Sequence, residues 1–298
     1  MKHALSFDIE DWFHIVDIPE LEDRSKWDSF SSIVKEKTNL ILNILDTYDV
    51  KATFFVLGWV ADKYPSISRK IVEHGHEIGT HSYWHRKIYE LNPDELYQDI
   101  SRSIDVLQQQ SGEKVKGFRA PSFSIIPGTE WAFDVLDDLG LVYDASIFPA
   151  KRGQGGYKLS EFPHRLDEDI SSTRFPELPM SLMGLGPFKL PFSGGGYLRF
   201  WPKALLKHGF RKHEKKRVPA VVYLHPRDFA PDSPRVSMPL HRKFKSYVGL
   251  NTTRDKLEML LQKFEFDTCE NVLKEWFDVT DLEEIPKSHS PQERRTQV

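Results

Sequence analysis

Ala4-Leu5-Ser6-Phe7-Asp8-Ile9-Glu10-Asp11 reads as a short buried strand running directly into three acids within four positions. Acids gathered at the end of an apolar strand suit a site better than a solvated face, and the pattern recurs along the chain. Ala52-Thr53-Phe54-Phe55-Val56-Leu57-Gly58 is a second strand, β-branched and aromatic and stopped by glycine. Glu77-Ile78-Gly79 is a third, leading into Thr80-His81-Ser82-Tyr83-Trp84-His85. Val115-Lys116-Gly117-Phe118-Arg119 and Leu141-Val142-Tyr143-Asp144 also end on charged residues, and Pro219 to Leu224 is a buried strand ending at His225.

Helical patterns lie between these strands. Ser31-Ser32 can cap a helix carrying Ile33, Leu40, Ile41, Ile44 and Leu45. Pro65 opens a second helix, which runs through Val72 and closes at Gly75. Asn92-Pro93-Asp94-Glu95 joins a cap, a first-position proline and first-turn acids, ahead of Leu96, Ile100, Ile104 and Leu107 at helical spacing. Thr129 to Leu139 and Thr252 to Phe264 complete the set. Strands alternating with helices predict an α/β fold with a parallel sheet. Asp8, His81, Arg119 and Asp144 each sit at or just after a strand end, which suits a distorted (β/α) barrel of about seven strands with its site at the C-terminal face.

From Pro149 to Pro219 the alternation breaks into Gly, Pro and aromatic residues, including Gly153-Gln154-Gly155-Gly156-Tyr157 and Ser193-Gly194-Gly195-Gly196-Tyr197. This predicts a long loop-rich insertion, residues 150–218, over the barrel mouth. The expected organisation is one domain over residues 1–280, insertion included, and a polar C-terminal tail over 281–298.

Composition narrows the function. The 298 residues are 39% hydrophobic, enough for a large core, and a net charge of −3 argues against nucleic acid as a partner. Cys269 is the single cysteine, which fits a reducing compartment. No apolar run reaches the length of a membrane helix, and the first residues lack a signal-peptide core, so a cytoplasmic enzyme with no integral membrane segment is expected.

His81 and His85 stand four apart, which places both imidazoles on one face of a helical turn where they can share a metal ion. The acids Asp8, Glu10 and Asp11 offer the carboxylate that such a site needs. Two neutral nitrogens and one carboxylate leave open metal positions, as a hydrolytic centre requires.

Five stretches now stand in order: Ser6-Phe7-Asp8-Ile9-Glu10-Asp11, His81-Ser82-Tyr83-Trp84-His85, Arg119-Ala120-Pro121-Ser122, Tyr143-Asp144-Ala145-Ser146 and Leu224-His225-Pro226. In this order the chain resembles the carbohydrate esterase family 4 polysaccharide deacetylases, which share the NodB-homology domain, and within them the subgroup linked to exopolysaccharide and capsule loci. The resemblance implies that Asp8 is the catalytic base, and that Glu10, ahead of Asp11, joins His81 and His85 as metal ligands. Ile9 stands where the commonest family pattern has a second aspartate. It implies that Arg119 holds Asp8, that a backbone N–H near Ser122 helps bind the oxyanion, and that Asp144 orients His225, the general acid. Ser122 replaces the family's tyrosine.

The activity so implied is metal-dependent removal of N-acetyl groups from amino sugars in polysaccharide biosynthesis. A divalent metal is the expected cofactor, with Zn²⁺ first and Co²⁺, Fe²⁺ or Ni²⁺ behind it. The expected substrate is an N-acetylated glycan, or a lipid-linked or nucleotide-linked amino sugar. Trp12, Phe13, Trp84, Tyr157, Tyr197 and Trp201 are candidate faces for a sugar ring, and Arg199 and Arg227 candidate readers of an acidic group. Two rivals follow from the same residues: opening of a cyclic ureide in the manner of allantoinase, and non-catalytic carbohydrate binding.

Overall fold

The computed structural model describes residues 1–150, 155–168 and 170–285. Residues 151–154, which include Gly153 and Gln154, residue 169 and residues 286–298 of the polar tail lie outside the described residues. The strands are β1 (His3–Ile9), β2 (Thr53–Val56), β3 (Glu77–Thr80), β4 (Gly117–Phe118), β5 (Tyr143–Asp144), β6 (His164–Arg165), β7 (Pro176–Glu177), β8 (Leu182–Leu185), β9 (Phe188–Pro191), β10 (Val221–Leu224) and β11 (Phe266–Asp267).

A curled half-barrel sheet runs in the order β10-β1-β2-β3-β4-β5-β7-β6, with β11 also pairing β1. Every pairing in it is parallel except β6 with β7. The parallel half-barrel with its surrounding helices is the α/β arrangement expected from the alternation. β1 is the hub: Ala4–Phe7 pair with β10 and Ser6–Ile9 with β2.

Strand side chains alternate between faces, so each strand serves two cores. Leu5, Phe7 and Ile9 of β1, Phe54 and Val56 of β2, and Val222 and Leu224 of β10 join the core under the outer helices. Ala4, Phe55, Tyr143, Val221 and Tyr223 form a second cluster on the other face. The helix Val34–Tyr48 buries Ile41, Leu42, Ile44 and Leu45 against the first core, each worth about 1.5–3 kcal/mol. The helix Pro93–Ser111 begins as its sequence predicts, with Asn92 and Glu95 in a reciprocal capping box, and Gly112 ends it in the left-handed conformation.

The described residues between 155 and 218 hold more regular structure than their composition predicts. β7 extends the sheet beside β5, β8 and β9 form a separate hairpin, and the helix Lys203–Lys216 packs Leu206, Phe210 and His213 inward. β6 and β7 are too short to show a period, and only three residues of that helix point clearly to the core. The triple glycine is also not an open loop. A Cβ on Gly194 would lie 2.0 Å from the Tyr223 ring, and one on Gly196 would lie 2.5 Å from the Lys245 carbonyl. These glycines let the helix Gly195–Phe200 press against β10 and the 245–249 segment.

Candidate active site and metal centre

Ser6 and Asp8 share one face of β1, opposite Phe7 and Ile9, and Glu10 follows the strand's end, its N–H donating to the Asp8 carbonyl at 3.0 Å. All three polar residues are buried. Arg119, fully buried just beyond β4, reaches across this face. Its Nη1 donates to Asp8 Oδ1 at 2.7 Å and to Ser6 Oγ at 2.8 Å, and its Nε donates to the Ala145 carbonyl at 3.0 Å. Burial alone would lower the Arg119 pKa, but the Asp8 carboxylate outweighs it and raises the pKa. Asp8 is therefore held by one oxygen, leaving Oδ2 to face the site.

His81 and His85 do not share a helical turn. They sit in the loop after β3, where Ser82 and His85 both have positive φ, 64° and 55°. Several bonds fix this loop. Asp99, from the helix Pro93–Ser111, accepts the Tyr83 and Trp84 N–H groups at 2.7 and 3.2 Å. Gly58 N–H donates to the Ser82 carbonyl at 2.8 Å, and His85 N–H to Ser82 Oγ at 3.2 Å. His81 Nδ1 meets the Arg119 carbonyl at 2.7 Å, so it carries the proton and Nε2 keeps its lone pair. Burial lowers the His81 pKa to about 4, which keeps the ring neutral near pH 7.

Glu10, His81 and His85 each bring one ligand atom to within 4.8 Å of the others. Glu10 Oε2 lies 2.6 Å from His85 Nε2 yet has no hydrogen-bond partner. Two lone-pair atoms facing each other in a buried site fit a shared cation. Burial would raise the Glu10 carboxyl, but His85, Arg227 and His225 outweigh it and hold it well below the usual range. The donor set of two imidazoles and one carboxylate fits a divalent metal with open positions.

Asp11 is used elsewhere. Its carboxylate accepts the Trp12, Ile33 and Val34 N–H groups at 2.9, 3.2 and 3.3 Å and takes the Ser32 hydroxyl. It thus caps the helix Val34–Tyr48, a job predicted for Ser31 and Ser32.

His225 follows β10. Its Nε2 lies 3.8 Å from both Asp8 Oδ2 and Glu10 Oε1. Its orienting partner differs from the expected one. Asp228 Oδ2 meets His225 Nδ1 at 3.0 Å and accepts its backbone N–H at 2.8 Å. Asp144 instead accepts the Ser146 hydroxyl at 2.5 Å and the Ser146 N–H at 3.1 Å, and it faces Glu177. Burial and the adjacent Asp144 charge push the Glu177 carboxyl well above its usual range. Asp144 stands in the right order along the chain but is committed to β5, β7 and the Ser146 turn.

Other expected residues divide. Arg199 is buried with its Nε 3.0 Å from Asp228 Oδ1, so it does not face an acidic substrate. Arg227 Nη2 lies 3.9 Å from Glu10 Oε1 and its side chain stays partly exposed. Ser122 and Phe123 both take left-handed φ, 57° and 56°, in the turn after Arg119. Trp12 and Phe13 are buried with Trp27 in their own cluster, Tyr157 bonds Glu130, and Trp201 bonds the Pro191 carbonyl. Tyr197 packs against the second cluster beside the Phe148 ring, and Trp84 lies beside His85. With His14, His85, Trp27 and Arg24 it lines a cavity of about 240 Å³. His14 and Asp228 were missed by sequence reasoning, although Asp228 lies three residues after His225, the spacing of a capping turn.

Known proteins match this chain in two consecutive blocks. Residues 21–142 match the polysaccharide deacetylase family. Residues 145–274 match DUF3473, described as a domain of unknown function. β1, with Asp8 and Glu10, precedes both. A peptidoglycan-N-acetylglucosamine deacetylase of Bacillus cereus is 33% identical over 121 residues, 37% of this chain and 44% of that protein. Peptidoglycan-N-acetylglucosamine deacetylase PgdA of Listeria monocytogenes is 28% identical over 106 residues, 33% of this chain and 23% of that protein. The matches thus span less than half the length of these relatives. A solved structure from Mycobacterium smegmatis, provisionally assigned as a polysaccharide deacetylase, aligns with a TM-score of 0.60 at 19% identity, over 96% of this chain and 92% of that one. The Bc1960 peptidoglycan N-acetylglucosamine deacetylase aligns with a TM-score of 0.50 at 19% identity, over 91% and 87%. At these identities the structural likeness concerns the fold.

Proposed function

The chain carries a polysaccharide deacetylase domain of the carbohydrate esterase family 4, NodB-homology type, and from that premise we propose that it hydrolyses N-acetyl groups on amino sugars. One observation carries the reading: Asp8, the Glu10–His81–His85 triad and His225 converge at the end of β1 and its neighbours. Glu10, His81 and His85 hold the divalent metal, zinc first by donor type. When bound, the metal supplies Lewis acidity to the acyl oxygen and to the attacking water.

The chain's own residues do the rest. Asp8 accepts the water proton through Oδ2, since Oδ1 is taken by Arg119. His225, with Nδ1 held by Asp228, gives its Nε2 proton to the leaving amine as the C–N bond breaks. A backbone N–H of the turn at Ser122 supports the developing oxyanion. Products are acetate and the free amino sugar.

The substrate is a glycan or a lipid-linked or nucleotide-linked precursor in polysaccharide biosynthesis, handled in the cytoplasm. Cys269, the single cysteine, is buried and free, which suits a reducing compartment.

The test is acetate release by zinc-loaded protein from N-acetylhexosamine oligomers and from lipid-linked and UDP-linked N-acetyl sugars, beside Asp8→Asn. Release by the wild type that falls at least about 10²-fold in Asp8→Asn, with metal retained, supports the reading. Turnover of a cyclic ureide alone, or no release despite a filled metal site, overturns it.

A further inference from the structure

The region 145–274 matches a family without an assigned function, yet it holds His225, Asp228 and Arg199. The deacetylase match, 21–142, holds His81, His85 and Arg119. The site is therefore divided between the two blocks and β1.

Within the second block the contacts form a chain. His225 Nδ1 meets Asp228 Oδ2 at 3.0 Å, and Asp228 Oδ1 pairs with Arg199 Nε at 3.0 Å. Asp228 and Arg199 are buried. The Arg199 guanidinium is fixed on its far side, with Nη1 donating to the Ser246 and Val248 carbonyls at 3.0 and 2.8 Å and Nη2 to the Lys245 carbonyl at 3.0 Å. Lys256 Nζ donates to the Arg199 carbonyl, so the backbone is tied as well. Gly194 and Gly196 let the helix Gly195–Phe200, which carries Arg199, lie where a Cβ would clash with the Tyr223 ring and the Lys245 carbonyl.

We propose that the segment of unassigned function is the acid module of this site, and that Arg199 is a positioning residue which holds Asp228, and through it His225, ready to protonate the leaving amine. This rests on the deacetylase reading of the previous section. Arg199 touches neither substrate nor metal in this arrangement. A guanidinium hydrogen-bonded to three carbonyls on one side and ion-paired with Asp228 on the other cannot be replaced by lysine without losing the fixed fork.

The proposal makes Arg199 matter for poor leaving groups alone. In amide hydrolysis the acyl carbon gains the water oxygen, the C–N bond breaks, and nitrogen takes its proton from His225. In hydrolysis of an aryl acetate the phenolate departs without that proton. The experiment compares wild type, Arg199→Lys, Arg199→Met and Asp228→Asn, all zinc-loaded and matched for fold by circular dichroism and thermal melting. Each is assayed on an N-acetylhexosamine oligomer and on p-nitrophenyl acetate.

The expected result is an amide kcat lowered about tenfold or more in all three variants, with aryl ester kcat within about twofold of wild type. Equal losses on both substrates assign Arg199 a merely structural role and overturn the proposal. Nitrogen-15 NMR of the His225 ring reads the same chain without turnover. The Nδ1 signal is expected to move in Arg199→Lys, and an unmoved signal overturns the proposal. Should the wild type cleave neither substrate, the deacetylase reading fails by itself, and the NMR arm still decides whether Arg199 acts on His225.

Discussion

Glu10 Oε2 stands 2.6 Å from His85 Nε2, while the carboxylate of Asp11, the next residue, lies on the N–H groups of Ile33 and Val34. Neighbours just past one strand end thus face apart, one toward the proposed metal site and one toward a helix terminus. β1 ends at Ile9, and a turn in which Glu10 N–H donates to the Asp8 carbonyl at 3.0 Å separates the two.

Metal content separates the two acids. Glu10→Gln is expected to lower zinc stoichiometry and affinity by at least about tenfold, with acetate release falling in parallel. Asp11→Ala is expected to keep zinc at wild-type stoichiometry and to lose about 1–2 kcal/mol of stability through the cap. Metal analysis after dialysis and urea unfolding measure both. Loss of zinc in Asp11→Ala with zinc kept in Glu10→Gln would reverse the assignment.

Asp228 and Asp144 are separated by kinetics. Asp228 accepts two bonds from His225, whereas Asp144 is bound to Ser146 and faces Glu177. Asp228→Asn is expected to lower amide kcat about 10²-fold, in the range of a misplaced general acid. Asp144→Asn is expected to cost at least about tenfold less. Steady-state rates on one N-acetylated oligomer decide it, and a larger loss at Asp144 would restore the order read from the sequence.

Much of this was legible before any coordinates. β1, β2 and β3 announce themselves as apolar runs, and the helix Pro93–Ser111 carries its start signal in Asn92-Pro93-Asp94-Glu95. Asp8, Glu10, His81, His85, Arg119 and His225 were legible as strand-end residues. The partner of His225 was not, because position along the chain favours Asp144 and only a turn through Pro226 brings Asp228 back onto the ring. The loop form of the His81–His85 pair depends on Asp99, a distant buried carboxylate that no local pattern reveals. The 150–218 stretch hid its strands because two-residue strands have no period to read.

Acid sensitivity has a specific source at His3. Its ring is buried among Phe210, Phe264 and Phe266, and its Nδ1 accepts the Ala220 N–H at 3.0 Å. Burial lowers its pKa from 6.5 to about 3. Between those values the unfolded chain binds a proton that the folded chain refuses, so stability falls as pH drops from 6.5 toward 3. The contribution is of the order of 5 kcal/mol at the acid end. His3→Asn keeps an acceptor without titrating, and its unfolding free energy is expected to vary less between pH 7 and pH 4.5 than that of wild type. Equal pH slopes in urea titrations would refute this.

Gly194 offers a structural test remote from the metal ligands. Its Cβ would lie 2.0 Å from the Tyr223 ring. Gly194→Ala is expected to destabilise the fold by about 1–3 kcal/mol through overpacking, and to lower amide hydrolysis by displacing the Arg199 helix. Thermal melting and acetate release should fall together, and an unchanged melting temperature would show that β10 yields freely.

β1 takes its neighbours from opposite ends of the polypeptide. Its early partner is β2, but β10 and β11 arrive more than two hundred residues after it. On the ribosome the strand bearing Asp8 and Glu10 waits with an open edge through most of synthesis. His225 and Asp228 emerge only near the end of that wait. The three proposed metal ligands thus lie in the first third of the sequence and the proposed acid in the last.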